Sequence, residues 1–182
     1  RKSLFHFALV GLLWGIPYLL MKVAVEDFPP AAVVAGRTLI GASILIPIAI
    51  YRKKFGGAVL GFKYVAFYAL MEMIGPWILI TTAEQKINSG LAGLLVSTVP
   101  IFATIITSLR GDHSVWQFKR IFGIVVGFIG LILVVGIESL SGNSDPLSIA
   151  MVIVASMGYA YAVIMVTTNL PLVDGIAING LA

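Results

Sequence analysis

The sequence predicts an all-α membrane protein, on three observations. Of its 182 residues, 59% are hydrophobic and only 11% charged, whereas a soluble domain carries about a quarter charged residues. The apolar residues come in runs of about 20, the length a helix rising roughly 1.5 Å per residue needs to cross a hydrocarbon core. These runs are apolar nearly all round, which excludes the two-faced helices of a soluble fold. The mean hydropathy of +1.04 agrees.

Taken in order, spans are expected at 4–25, 30–51, 62–83, 89–109, 118–137 and 146–166, with a seventh starting near Leu172. The first opens on Arg1 and Lys2 like a secretory signal. It is long, however, contains Trp14 and Pro17, and reaches Lys22 without a small-residue cleavage site, so it reads as an uncleaved span. Pro17, Pro47, Pro76 and Pro100 each interrupt a span and free backbone carbonyls, which serve as hinges or ligand sites in some helices and only as kinks in others. The chain starts without Met and stops inside an apolar run, so it is expected to be a piece of a longer protein.

Loop charges give an orientation. Arg1, Lys2, Arg52, Lys53, Lys54, Lys63, Arg110, Lys119 and Arg120 fall on one side, and Lys and Arg near span ends stay in the cytoplasm. The opposite side carries Glu26, Asp27, Glu84, Glu138 and Asp145 against Lys22 and Lys86. The amino terminus is therefore expected inside. A pI near 9.5 reflects this topology and not a nucleic-acid partner, because the basic residues form no stripe. There is no cysteine, hence no disulfide, thiolate nucleophile or cysteine-based metal site.

Internal repetition is the next signal. The stretch from Gly11 through Trp14 and Gly15 to Tyr18 can be laid over the stretch from Val154 through Gly158 to Tyr161. That offset implies five spans per repeat, and an odd number inserts the second copy upside down, the inverted-repeat plan of many secondary carriers.

The sequence resembles the EamA-type carriers of the drug/metabolite transporter superfamily. The residues that carry the resemblance are Leu12, Leu13, Trp14 and Gly15 with Lys22 in span one, and Gly36-Arg37-Thr38-Leu39 in span two. Span four adds the block from Ala83 to Leu95 running on to Pro100, and span five the Gly123, Gly127, Gly130 series. The resemblance implies a ten-span fold of two inverted repeats around a cavity open to one side at a time, commonly serving export of metabolites, amino acids or drugs. Residues 1–138 would then be the first repeat and 146–182 the truncated start of the second. Two departures stand out: the segment from Thr167 to Asp174 lacks the basic residues of a cytoplasmic loop, and Glu72 is foreign to the family pattern.

Glu72, near the middle of span three, is the first functional candidate. An ionised carboxylate is expensive there and usually faces a cavity or a partner, and a proton taken up and released is what a coupled carrier exploits. The alternative is a neutral or ion-paired Glu that only fixes packing. At helical spacing it shares a face with Tyr64 and Tyr68. Arg37 sits roughly 10 Å below the end of span two, either paired with Glu72 or snorkelling outward. Lys22 has Glu26 one turn on and Asp27 beside it, either an interfacial ion pair or a gate for anionic groups.

Trp14, Tyr18, Tyr68, Trp77, Tyr159 and Tyr161 are candidates for lining an organic-substrate pocket. Trp14 and Tyr18 are the deeper pair, and Trp77 has interfacial anchoring as its other reading. Span four places Ser89, Gly93, Ser97, Pro100, Thr104 and Ser108 at about one per turn, facing a cavity or a neighbouring helix. Gly11 and Gly15, and Gly123, Gly127 and Gly130, are read as helix-packing positions.

The negative signals agree. His6 and His113 stand without a metalloprotease motif, there are no paired carboxylates, and no phosphate-binding glycine loop follows a strand. One mid-membrane Glu is too little for a membrane enzyme, so no enzyme, metal or cofactor is expected. The expectation is a secondary active transporter of small organic solutes, an exporter in the bacterial inner membrane. Its partners would be the lipid bilayer, the substrate, protons as coupling ion and the remaining spans of its own chain. A non-transporting scaffold or receptor on the same bundle is the competing class.

Overall fold

Helices α1 (Lys2–Asp27) and α2 (Pro30–Tyr51) open the chain and are joined by the Phe28–Pro29 corner. Pro29 is extended, and Pro30 follows at the first turn, where a missing N–H is harmless. The computed structural model describes residues 2–135 and 145–182. A short α3 (Phe55–Leu60) leads into span three, which runs as α4 (Phe62–Tyr68), a π-helical segment (Ala69–Ile74) and α5 (Gly75–Ala83). Span four is likewise divided, into α6 (Ser89–Val96) and α7 (Val99–Leu109). After a 3-10 turn (His113–Trp116) come α8 (Phe118–Val135), α9 (Pro146–Asn169) and α10 (Gly175–Leu181).

Four helices among the described residues are long and apolar enough to cross a membrane: Pro30–Tyr51, Phe62–Ala83, Ser89–Leu109 and Pro146–Asn169. They coincide with the spans read from the sequence, and α1 and α8 start where spans one and five are expected. The end of span five at Ile137 and of the first repeat at Glu138 lie outside the described residues, as do the side chains of Gly11, Trp14 and Gly15. No strand occurs among the described residues. The protein is an all-α membrane protein.

The connections follow local chemistry. Asp145 caps α9, its Oδ2 accepting from the Ser148 N–H at 2.9 Å and the Ser148 hydroxyl at 2.8 Å. These bonds from Ser148, with Lys86 3.5 Å away, hold the Asp145 carboxyl below the usual carboxylate range. Asn88 caps α6 through the Leu91 N–H. Past α7, Gly111 takes φ +94°, the left-handed conformation that ends a helix most readily with glycine.

The core lies in two clusters. One gathers Met21, Ile80, Ala83, Ile87, Leu91, Leu94, Val152 and Ala155 from α1, α5, the connection after it, α6 and α9. The other joins Ala49, Ala58, Val65, Leu170, Ala177 and Ile178, seating α10 against α2 and α3. Helix α9 is the hub, packed against every segment of spans three and four. Gly123, Gly127 and Gly130 of α8 do not pack within the described residues: all three are exposed, and a Cβ added at any of them would meet nothing within 4 Å. The close approach belongs instead to Gly158 of α9, where a Cβ would stand 2.9 Å from the Met71 carbonyl oxygen.

Candidate functional site

Pro76 has no N–H and clashes with an ordinary helical turn before it. Span three absorbs this by widening: the Gly75 N–H bonds to the Leu70 carbonyl, five residues back, through the π-helical segment Ala69–Ile74. In that wide turn the fifth residue after Met71 is Pro76, which has nothing to donate. The Met71 carbonyl projects toward α9, where Gly158 lets the two backbones meet. The contact sets Tyr159 beside Glu72 at the edge of the cavities described below.

Span four breaks for a similar reason. Pro100 cannot bond back to Val96, and the helix parts between Val96 and Val99. Nearby hydroxyls take up the carbonyls: Ser97 donates to Leu94 O at 2.6 Å, Thr98 to Leu95 O at 2.6 Å, and the buried Ser156 of α9 also reaches Leu95 O at 3.2 Å. Broken spans stitched by hydroxyls are tolerated in a bilayer where they line a cavity or are covered by protein.

Two adjoining cavities open at these breaks, apart from a third of about 220 Å³ that touches Pro100 and lies between α7 and α8. The smaller, of about 250 Å³, is lined by Pro17, Tyr18, Met21, Arg37, Glu72, Trp77 and Tyr159. The larger, of about 770 Å³, runs along span four from Ser89 through Gly93 and Ser97 to Pro100 and is closed by Tyr18, Glu72 and Tyr159. Those three residues belong to both walls. Glu72 is half-buried, and its Oε2 has no hydrogen-bond partner.

The predicted site is thus partly assembled and partly redistributed. Glu72, Tyr18, Arg37 and Ser97 reach the cavities. Arg37 does not pair with Glu72 and does not snorkel: its guanidinium lies 3.9 Å over the Trp77 ring and donates to the Met21 sulfur at 2.7 Å. Trp77 accordingly forms part of the wall of the smaller cavity. Tyr68 turns away, donating to Asn179 Oδ1 of α10 at 3.0 Å, and Tyr64 packs in the same cluster. The shared face expected for Tyr64, Tyr68 and Glu72 assumed α-helical spacing, which the π-helical segment breaks. Tyr161 stacks edge-on with Phe67 at 5.9 Å with Arg110 over its ring, away from both cavities.

Lys22 pairs with neither Glu26 nor Asp27. Its Nζ donates to the backbone carbonyls of Glu84 and Ile87, capping the end of span three with a positive charge where the helix carbonyls point. Glu84, counted from the sequence among the acids of the opposite side, is 0% exposed. Neither of its carboxyl oxygens has a hydrogen-bond partner. The signal available in the sequence was its position one residue past an apolar span, in a connection of five residues to the next. No group of three or more His, Cys, Asp or Glu side chains able to hold a metal occurs among the described residues.

An all-α membrane protein with two interrupted spans facing a shared cavity has the architecture of a solute carrier. Residues 1–136 match the EamA-like transporter family, and the chain belongs to that family. It is 29% identical over 172 residues to an uncharacterized transporter of Bacillus subtilis, YoaV, covering 93% of this chain and 59% of that protein. It is 32% identical over 130 residues to PagO of Salmonella typhimurium, covering 69% of this chain and 41% of PagO. It is 26% identical over 151 residues to an uncharacterized inner membrane transporter of Escherichia coli, YedA, covering 82% of this chain and 48% of YedA. The chain therefore spans roughly half the length of these curated relatives. No solved structure matches it.

Proposed function

We propose that the protein is a secondary active transporter of small organic solutes, an exporter of the bacterial inner membrane with its amino terminus in the cytoplasm. The observation that carries the reading is the pair of adjoining cavities at the breaks of spans three and four, with Glu72, Tyr18 and Tyr159 common to both. Carriers place substrate and coupling-ion sites at such discontinuities. The family match supports transport, and the printed description of YedA as an inner membrane transporter supports the location. Residues 1–138 act as one inverted repeat and 146–182 as the start of the next, a division to which the family match over 1–136 lends support.

In this mechanism the substrate's organic body rests in the larger cavity against Tyr18, Tyr159 and Ser97, with Trp14 of α1 as a further candidate. Arg37 and Trp77 form the polar wall of the smaller cavity. Glu72, with one oxygen unpartnered between the two, binds a proton in one state and releases it in another. Its charge changes as substrate passes, so the two movements are linked. Tyr68 and Tyr161 act by holding span three and α9 in place, and Lys22 by linking α1 to the connection after span three.

The test is solute counterflow in proteoliposomes with a panel of amino acids, toxic analogues and organic cations, at several pH values. The protein should exchange one class of solute, and Glu72→Gln should reduce proton-coupled uptake by about tenfold or more while leaving counterflow less affected. Unchanged pH dependence in Glu72→Gln removes Glu72 from the mechanism. Absence of counterflow for every solute leaves a scaffold on the same bundle.

A further inference from the structure

The least expected group in the molecule is the Glu84 carboxyl. It is completely buried, has no donor on either oxygen, and stands at the carbonyl end of α5, where the helix dipole disfavours a negative charge. A buried carboxylate without partners is unstable as an ion. The cation that would pair with it is already at hand: the Lys22 ammonium sits on the backbone carbonyl of the same residue and on that of Ile87, not on the carboxylate. A carboxylate beside a free ammonium would draw it in; a protonated acid would leave it on the carbonyls.

We propose that Glu84 is a proton-binding site and that Lys22 reports its state. With the proton on Glu84, Lys22 rests on the Glu84 and Ile87 carbonyls, as observed. When the O–H bond breaks and the proton leaves to solvent, the ammonium transfers to the carboxylate, and the end of α1 moves relative to the 84–88 connection. Lys22 is adjacent to Met21, whose sulfur accepts from Arg37 at 2.7 Å and from the buried Thr81 at 3.5 Å. One turn back on α1, Tyr18 lines both cavities. Movement of Lys22 is therefore transmitted by packed side chains to the wall of the smaller cavity.

The surroundings support this assignment. The charged and titratable groups facing Glu84 are Lys22 and Tyr18 on α1 and Arg37 on α2. Helix α6, packed nearby, carries no ionisable side chain. The ionisable groups of α9 are the phenols Tyr159 and Tyr161, of which Tyr159 lies on the cavity wall. Glu84 is the first residue past the span Phe62–Ala83. Burial pushes its carboxyl up to about 7, against the pull of Lys22 and then Arg37.

Two measurements on the protein in lipid test the proposal, and neither uses transport, so failure of the carrier reading and of this one are separable. Infrared difference spectra of the protonated carboxyl stretch should show a band that disappears as pH rises through neutrality. The band should persist in Glu72→Gln, which removes the other embedded carboxyl, be missing when Glu84→Gln is added to that variant, and persist to a pH higher by about one unit when Lys22→Gln is added instead. Lys22→Gln keeps the carboxyl and serves equally if Glu84→Gln does not fold. The chain has no cysteine, so spin labels at Val23→Cys and Gln85→Cys, both exposed, report the distance from α1 to the connection. It should change between pH 5 and pH 8.5 in the parent and stay constant with Glu84→Gln. A Glu84 already ionised at pH 5, or a label distance independent of pH, overturns the proposal.

Discussion

Span three carries one carboxyl group in its middle and another at its end, and the two have opposite surroundings. Glu72 rides on a π-helical segment, half-buried, at the edge of two cavities. Glu84 rides on an ordinary helix terminus, wholly buried, without a cavity and with a lysine on its own carbonyl. Depth in the membrane, which sequence position reports, is therefore a poor guide to solvation. The mid-span acid has room around it, and the terminal acid has none. The difference comes from the backbone: Pro76 opens the middle of the span, whereas α1 and α6 close over its end.

The largest expected effect breaks the middle. Gly158→Val places carbon against the Met71 carbonyl, where even a Cβ alone would stand only 2.9 Å from the oxygen. It should cost about 1 to 3 kcal/mol, as overpacking does, and move Tyr159 away from Glu72. Reversible unfolding in mixed micelles measures the first, and quenching of fluorescence by a cavity ligand the second. A neutral substitution there would mean that α9 does not lean on the widened turn.

The next effect sharpens the contrast from the other end. A Glu whose folded pKa is raised binds protons more tightly folded than unfolded. Its stabilising contribution is thus complete below the unfolded value near 4.5 and is lost as pH rises through about 7. Replacing Glu84 by Gln removes this loss, so the variant should be more stable than the parent at pH 8, by something on the order of 1 kcal/mol, and should converge with it at pH 4. Thermal melts across that range decide it, and a parent that gains stability between pH 5 and 8 contradicts the buried, unpartnered assignment.

The smallest effect concerns the cation between the two acids. Arg37→Lys keeps the charge but loses the flat guanidinium over Trp77, a change of about 0.5 kcal/mol. Trp77 emission should shift on substitution. An Arg37 paired with Glu72 would instead make Glu72→Gln the more damaging change to Trp77 emission.

Much of the fold was legible in the sequence because a bilayer admits few solutions. Runs such as Pro30–Tyr51 and Pro146–Asn169 must be helices, since their backbone groups have no other partners in hydrocarbon. The site was legible only in part. Glu72, Tyr18, Arg37 and Ser97 were found because polar groups in apolar spans are conspicuous. The Tyr68 hydroxyl bonds Asn179 and not a cavity group, a partner that spacing arguments at 3.6 residues per turn do not reveal. Glu84 was passed over because a charge beyond the end of a span is usually solvated.

By itself the sequence determined the class of the protein and the positions of its spans, since hydropathy acts locally; of the four prolines it marked as interruptions, only Pro76 and Pro100 stand where a span departs from the α-helix, while Pro17 and Pro47 lie inside unbroken α1 and α2. Only the tertiary structure decided which small residue lies at a helix contact, Gly158 and not the α8 glycines, and which acid is sealed from water. It also decided what Arg37 and Lys22 touch. Those choices depend on which helix lies across from which, and no local period in the chain encodes that.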